Sequence, residues 1–314
     1  MEEKEHILVI KHGALGDFVM AMPMMAAIRA RHPDAHITLI TQGSLTGLAK
    51  CTRLFDGFAV DNRTYKPKDW WYIIKETIAD KRYSVIYDLQ SNNRTLVRYA
   101  PLARFATRHP MVWAKRVKGG FVFRSTGAKL PYMFSFPKSR FVAMAPIPFD
   151  MSKVRGEGKN FGLLPERYVL LIPGCSAGNT QKRWPADRYR EVSLALGKRG
   201  IKTVVLGTKD EEKEISTICR DNPDAVDFMG KAQIADIPEM AARSLAIIGN
   251  DTGPTHIAWR TGRPTIMCFT TFDAGRAAPK NAPNVQSLVA DKIDAIPFDA
   301  VMEKLSAILT ETKA

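Results

Sequence analysis

A short β-branched run that ends in a turn and passes into helix-spaced apolar residues recurs along this chain, in two separate series. His6 to Lys11 (HILVIK) opens the first, and residues 15–32 follow with Phe18, Met22, Met25 and Ile28 at helical spacing until Pro33 stops them. His36 to Thr41 (HITLIT) is the next strand, residues 69–81 read as a helix, and Ser84 to Leu89 (SVIYDL) as another strand. The second series starts at Tyr168 to Ile172 (YVLLI). Helix 186–199, strand Lys202 to Leu206, charged helix Asp210 to Arg220, helix Asp236 to Arg243, strand Leu245 to Ile248, helix Thr255 to Arg260 and strand Pro264 to Phe269 follow, with a last helix at about 298–311. Strand and helix in alternation imply parallel sheets covered on both faces.

The fold class is therefore α/β: two Rossmann-like, doubly wound parallel-sheet domains facing across a cleft. The domains are expected at residues 1–160 and 161–297, the first to meet an acceptor and the second to bind a nucleotide sugar. Residues 298–314 form a terminal helix free to pack back on the N-terminal domain. A length of 314 residues suits two domains, each able to bury its own core. The pattern blurs from about 100 to 165, and Pro146, Pro148, Gly156, Gly158 and Gly162 give the end of that stretch the look of a linker.

No run approaches the roughly 18 apolar residues of a membrane-spanning helix. Met1-Glu2-Glu3-Lys4-Glu5 is acidic where a secretory signal is basic, so the cytoplasm is the expected compartment. Cys51, Cys175, Cys219 and Cys268 are too far apart for a metal-ligand or redox spacing. The formal charge is +14, and it is concentrated. Between Asp88 and Asp150 there is no acidic residue, while eleven Lys and Arg, among them Arg94, Arg98, Lys115, Arg116 and Lys118, alternate with aromatics. A field of one sign attracts polyanions or an anionic membrane surface. These five cations are the candidates for meeting such a partner.

Four strand-to-helix turns carry residues suited to chemistry. In Lys11-His-Gly-Ala-Leu-Gly-Asp17, Gly13 and Gly16 let the backbone turn tightly beside a ligand. Asp17 can act as a general base, or simply complement the helix dipole. In Gly174-Cys-Ser-Ala-Gly-Asn-Thr-Gln-Lys-Arg-Trp-Pro185, small polar residues such as Ser176 and Thr180 can offer amides to phosphate oxygens, and Lys182 and Arg183 can neutralise a diphosphate. A surface turn with two solvated cations is the plainer alternative. In Gly249-Asn-Asp-Thr-Gly-Pro-Thr-His256, Asp251 or Thr252 can cap a helix whose start, with Gly253 and Thr255, faces an anion. His256 lies one turn in and fits simple capping less well. In Gly207-Thr-Lys-Asp-Glu-Glu212, Asp210 or Glu211 can meet ribose hydroxyls, or merely start an exposed helix. No D-x-D pair is present to hold a metal beside a diphosphate, so Lys, Arg and helix amides are the expected charge sink and no metal or other cofactor is expected.

Taken in order, ILVIKHGALGDFVMAMP, VIYDLQSNNRT, PGCSAGNTQKRWP, the GTKDEE turn and IIGNDTGPTHIAWRTGRPTI resemble glycosyltransferase family 9, the ADP-heptose:lipopolysaccharide heptosyltransferases. The resemblance spans residues 7 to about 269 but does not extend into residues 100–165. It implies a GT-B fold and an inverting, metal-independent transfer from ADP-heptose to an anionic glycolipid at the inner leaflet, by a peripheral enzyme. It implies Asp17 as catalytic base and Lys182 as partner of the leaving diphosphate. Asp251 would contact the donor sugar, Thr252, Gly253 and His256 the phosphates, and Glu211 the ribose. Another donor or acceptor on the same fold, or a non-catalytic sugar-nucleotide binder, are the competing readings. A nucleic-acid protein is the third, and no nucleic-acid motif supports it.

Overall fold

A computed structural model describes residues 4–64, 67–78, 83–90, 112–117, 120–125 and 144–311. The chain divides into two compact units, Met1–Phe149 and Asp150–Ala314.

In the first unit β1 (His6–Ile10), α1 (Leu15–Arg31), β2 (His36–Thr41), α2 (Gly43–Cys51), β3 (Gly57–Val60), α3 (Pro67–Ile78) and β4 (Val85–Asp88) alternate, followed by β5 (Val112–Val117) and β6 (Gly120–Ser125). The sheet order is β3-β2-β1-β4-β5-β6, parallel except for β6, which runs antiparallel to β5. The central strand is apolar on both faces: Ile7, Leu8, Val9 and Ile10 are all buried, as a strand covered on both sides requires. Helix α1 buries Val19, Ala21, Met24 and Ala27 beside the expected stripe of Phe18, Met22, Met25 and Ile28, so it is an interior helix rather than a half-exposed one.

The second unit holds β7 (Tyr168–Ile172), α4 (Ala186–Gly197), β8 (Lys202–Gly207), α5 (Glu212–Cys219), β9 (Ala225–Met229) and α6 (Ile237–Arg243). Then come β10 (Ala246–Asn250), α7 (Gly253–Trp259), β11 (Thr265–Thr270), α8 (Thr271–Ala277), β12 (Val285–Ala290) and α9 (Phe298–Glu311). Its six strands are all parallel, in the order β12-β11-β10-β7-β8-β9. Both sheets thus have the Rossmann order, and each reverses direction once, between β1 and β4 and between β7 and β10. Ligands of such sheets bind beyond the carboxyl ends of the strands at that switch point.

Two details differ from the sequence pattern. The linker-like stretch after Asp150 packs with the second unit: Met151 and Val154 are buried, Gly158 donates its amide to Asp236 at 3.0 Å, and Asn160 reaches the Lys231 carbonyl at 2.7 Å. Its glycines and prolines mask two core side chains. Helix α9 packs into its own unit: Val301, Leu305, Ile308 and Leu309 lie in the second unit's core with Val169, Ile248 and Trp184. No helix among the described residues is long and apolar enough to cross a membrane.

Candidate active site

In the first unit the turns after four strands meet at the switch point. Gln42, after β2, accepts the Gly13 amide at 2.8 Å, and a Cβ on Gly13 would stand 2.5 Å from that same oxygen. Glycine leaves room for the Gln42 side chain to reach the backbone there. Gln90, after β4, accepts from the Lys11 ammonium at 3.3 Å and the His12 amide at 3.2 Å. Asp61, after β3, pairs with the buried His12 imidazole at 3.3 Å, and the Arg63 guanidinium donates to the Gly13 carbonyl at 2.9 Å. Helix α1 begins immediately after this knot, with Gly16 and half-buried Asp17 in its first turn and no side-chain cap. A fixed backbone thereby delivers one carboxylate at the positive end of a helix.

In the second unit the equivalent turns hold a charged cluster. Strand β10 ends at Asn250, fully buried, whose amide nitrogen donates to the Pro173 carbonyl at 2.6 Å and whose oxygen accepts from the Trp184 amide at 3.1 Å. This ties the turn after β10 to the turn after β7. Trp184 is itself fully buried, edge-on to Tyr189 at 4.9 Å, and its indole donates to the Ile296 carbonyl at 2.9 Å. The adjacent Lys182 is positioned by this anchor. Its ammonium lies 2.7 Å from Asp251 and 2.7 Å from Asp273. Asp251 also meets the Nε2 of His256 at 3.0 Å, and the indole of Trp259 donates to the other ring nitrogen at 3.2 Å. An indole N–H can only donate. His256 therefore carries its proton on Nε2 and gives it to Asp251.

Burial disfavours the charged form of Asp251, but the hydrogen bonds from His256 and Lys182 outweigh it and hold the carboxyl below its ordinary 3.8. Burial likewise disfavours a charged Lys182, and the bonds to Asp251 and Asp273 reverse it, raising the ammonium above its ordinary 10.5. One cation between two carboxylates leaves the Lys182–Asp251–Asp273 group with a net charge of −1.

The candidates from the sequence separate into groups. Lys182, Asp251 and His256 come together. Arg183 does not join them: it pairs with Glu214 at 2.5 Å, lies 3.7 Å from Glu211 and donates to the Cys175 carbonyl at 3.2 Å. The two cations of the Lys-Arg pair thus belong to different clusters. Glu211 is buried, and one of its oxygens accepts both the amide and the hydroxyl of Thr208, at 2.9 and 2.7 Å, in a capping box. Its side chain also fills the space beside Gly174, where a Cβ would come 2.7 Å from its Cγ and 2.8 Å from its carboxylate carbon. Ser176 and Thr180 are exposed around the 3-10 turn Ala177–Lys182, with the Ser176 hydroxyl accepting from Asn179 at 2.7 Å. Thr252 heads α7 without a side-chain cap bond, and Gly253 follows it. Thr255 is buried against Gly249, so its hydroxyl is not presented to an anion. Lys115 and Arg116 fall on β5, opposite Val122 and Phe121. Arg94, Arg98 and Lys118 lie outside the described residues.

Asp273 and Trp259 were not anticipated. Asp273 had a signal: Thr270-x-x-Asp273 is a capping pattern directly after a strand, and the Thr270 hydroxyl does donate to Asp273 at 2.7 Å while accepting its amide at 3.2 Å. Among the described residues no group of three or more His, Cys, Asp or Glu is placed to hold a metal ion. None of the four cysteines forms a disulfide.

Residues 142–298 match the model of "Glycosyltransferase family 9 (heptosyltransferase)". The chain is 23% identical over 285 residues to lipopolysaccharide heptosyltransferase 3 of Escherichia coli, covering 82% of this chain and 81% of that protein. It is 24% identical over 311 residues to lipopolysaccharide heptosyltransferase 1 of Campylobacter coli, covering 88% and 87%. Among solved structures it resembles a family 9 glycosyltransferase from Veillonella parvula, with a TM-score of 0.76, 18% identity and 99% of both chains covered. It also resembles the E. coli heptosyltransferase WaaC with ADP, with a TM-score of 0.74, 14% identity, and 96% of this chain and 99% of that one covered. Two Rossmann-type units in this order, and a family match over half the chain, make this protein a GT-B glycosyltransferase belonging to family 9, the heptosyltransferase family.

Proposed function

We propose that this protein moves a heptose from ADP-heptose to an anionic lipopolysaccharide-core glycolipid in one inverting, metal-independent displacement. The observation that carries the reading is the Lys182–Asp251–His256 cluster at the carboxyl ends of β7 and β10, where a Rossmann sheet receives its nucleotide. The relatives named as lipopolysaccharide heptosyltransferases, and the neighbour solved with ADP, supply the donor class. A hydroxyl of the acceptor attacks the anomeric carbon from the face opposite ADP. The new C–O bond forms as the bond to the β-phosphate oxygen breaks, and Asp17 takes the hydroxyl proton. Lys182 offers its ammonium to the charge that grows on the departing diphosphate. Asp251, fixed by two donors, is an acceptor for sugar hydroxyls, and Thr252, Gly253 and His256 line the phosphate side.

The acceptor side rests on the acid-free, arginine- and lysine-rich run between Asp88 and Asp150, which suits a phosphorylated glycolipid and the inner face of the cytoplasmic membrane. The charge pattern supports a peripheral enzyme on the cytoplasmic side of that membrane. The test is ADP release from ADP-heptose with a deacylated lipopolysaccharide core and EDTA. Release that needs acceptor and survives EDTA supports the reading. Bound ADP-heptose without release contradicts the acceptor, release abolished by EDTA contradicts the metal-independent step, and no binding at all contradicts the donor.

A further inference from the structure

Lys182 meets more negative charge than it can neutralise. Its ammonium donates to Asp251 at 2.7 Å and is ion-paired with Asp273 at 2.7 Å. An arriving diphosphate would therefore face a cluster already at −1. The two carboxylates are not equivalent. Asp251 uses one oxygen for Lys182 and the other for His256, so it is held from two sides. Asp273 is moored at the start of α8: its Oδ2 accepts from the Thr270 hydroxyl at 2.7 Å and its amide donates back to that hydroxyl at 3.2 Å. Lys182 takes only its Oδ1. That contact can open without disturbing the mooring. Asp273 is also buried, at 4% exposure, so water does little to screen it.

We propose that Asp273 is a positioning residue that acts as a resident anion: it holds Lys182 in place in the empty site and competes with the nucleotide diphosphate for that ammonium. The proposal rests on the reading that Lys182 meets the diphosphate and names how that contact is regulated. A lysine bonded only to the nucleotide would bind ADP tightly as product and donor as ground state. Neither accelerates the bond-breaking step, since only interactions stronger in the transition state do so. A competing carboxylate weakens both ground states, while the extra charge on the departing diphosphate recovers the ammonium as the bond breaks. Asp273 thereby sets how readily ADP leaves.

The sign of this effect is opposite to that of a purely structural role. Asp273→Asn keeps an acceptor for Thr270 and removes the charge. ADP measured by calorimetry, without acceptor, should bind about tenfold tighter, the scale of one nearby charge. Adenosine should bind as before. In turnover, KM for the donor and kcat should fall together, because ADP release slows. Asp273→Glu, which keeps the charge, should return ADP affinity towards native. Asp273→Ser keeps a capping oxygen and should tighten ADP as Asp273→Asn does, so it serves if the asparagine variant folds poorly. ADP affinity that is unchanged or weaker in both neutral variants overturns the proposal. Lys182→Ala separates the two layers. If it weakens ADP but the neutral variants do not tighten it, only this inference falls; if it leaves ADP affinity unchanged, the diphosphate role of Lys182 falls as well.

Discussion

The two units share a strand order and a switch point, yet they finish that switch point in different ways. In the first, the turn after β1 is held by two neutral acceptors: Gln42, after β2, takes the Gly13 amide, and Gln90, after β4, takes Lys11 and the His12 amide. The result is a rigid turn that presents one half-buried carboxylate, Asp17, at a helix start. In the second, β7 and β10 are joined by buried Asn250, and the turns above it carry Lys182, Asp251, Asp273 and His256 as one hydrogen-bonded cluster. One frame thus supports two chemistries. In the first unit, side-chain amides fix the turn beside one carboxylate; in the second, charged groups fix one another.

The comparison can be broken most forcefully at Trp184. Its replacement by Ala removes a fully buried side chain and the bond to Ile296, and should cost the second unit about 3–5 kcal/mol in urea unfolding. A first unit that loses as much would contradict the independence of the two cores. Lys182→Ala comes next: turnover should fall about 10²- to 10³-fold, the usual loss for a group that meets charge in the transition state. A fall of less than tenfold would remove Lys182 from the chemistry. Gly13→Ala probes the neutral turn. Its methyl would collide with Gln42, and the first unit should lose about 1–3 kcal/mol while calorimetric ADP affinity stays within twofold. Trp259→Phe deletes the donor to His256 and should cost the second unit about 1 kcal/mol.

The smallest effect is in pH. Asp251 has its pKa lowered on folding, so its contribution to stability is complete above its ordinary 3.8 and is lost as pH falls through the lower folded value. Lys182 has its pKa raised, so its contribution is complete below its ordinary 10.5 and is lost as pH rises through the higher folded value. The stability difference between native protein and Lys182→Ala should therefore be flat from about pH 5 to 9 and shrink outside that window. A difference that changes inside that window would contradict the pairing of Lys182 with Asp251.

Much of this was legible in the sequence where a strand is apolar throughout and a turn is rich in glycine or capping residues. HILVIK, YVLLI and the helix after Pro185 are such places, and so are the turns bearing Asp17, Lys182 and Asp251. The segments missed have weaker local signals for stated reasons. Strands β9 and β12 are half-exposed edges carrying Asp227, Gln286 and Ser287, so their apolar pattern is diluted. Helix α2 contains Gly43 and Gly47, which lower its propensity, and α8 is only seven residues held by one cap. The partition of Lys182 and Arg183 between two clusters depends on Glu214 and Asp273, residues distant in sequence, and no local pattern reports it. The capping pattern at Thr270 marks Asp273 locally, but nothing local reports its pairing with Lys182 far up the chain.

The division of labour between the units is tested most directly by Asp17→Asn, measured twice on one preparation: calorimetric affinity for ADP-heptose, and turnover with acceptor. Native-like affinity with turnover reduced about 10²- to 10⁴-fold is the predicted result, because the proposed base belongs to the first unit and the proposed donor cluster to the second. Turnover that persists near the native rate would remove Asp17 as the base, and affinity that collapses along with turnover would contradict the separation of the two chemistries.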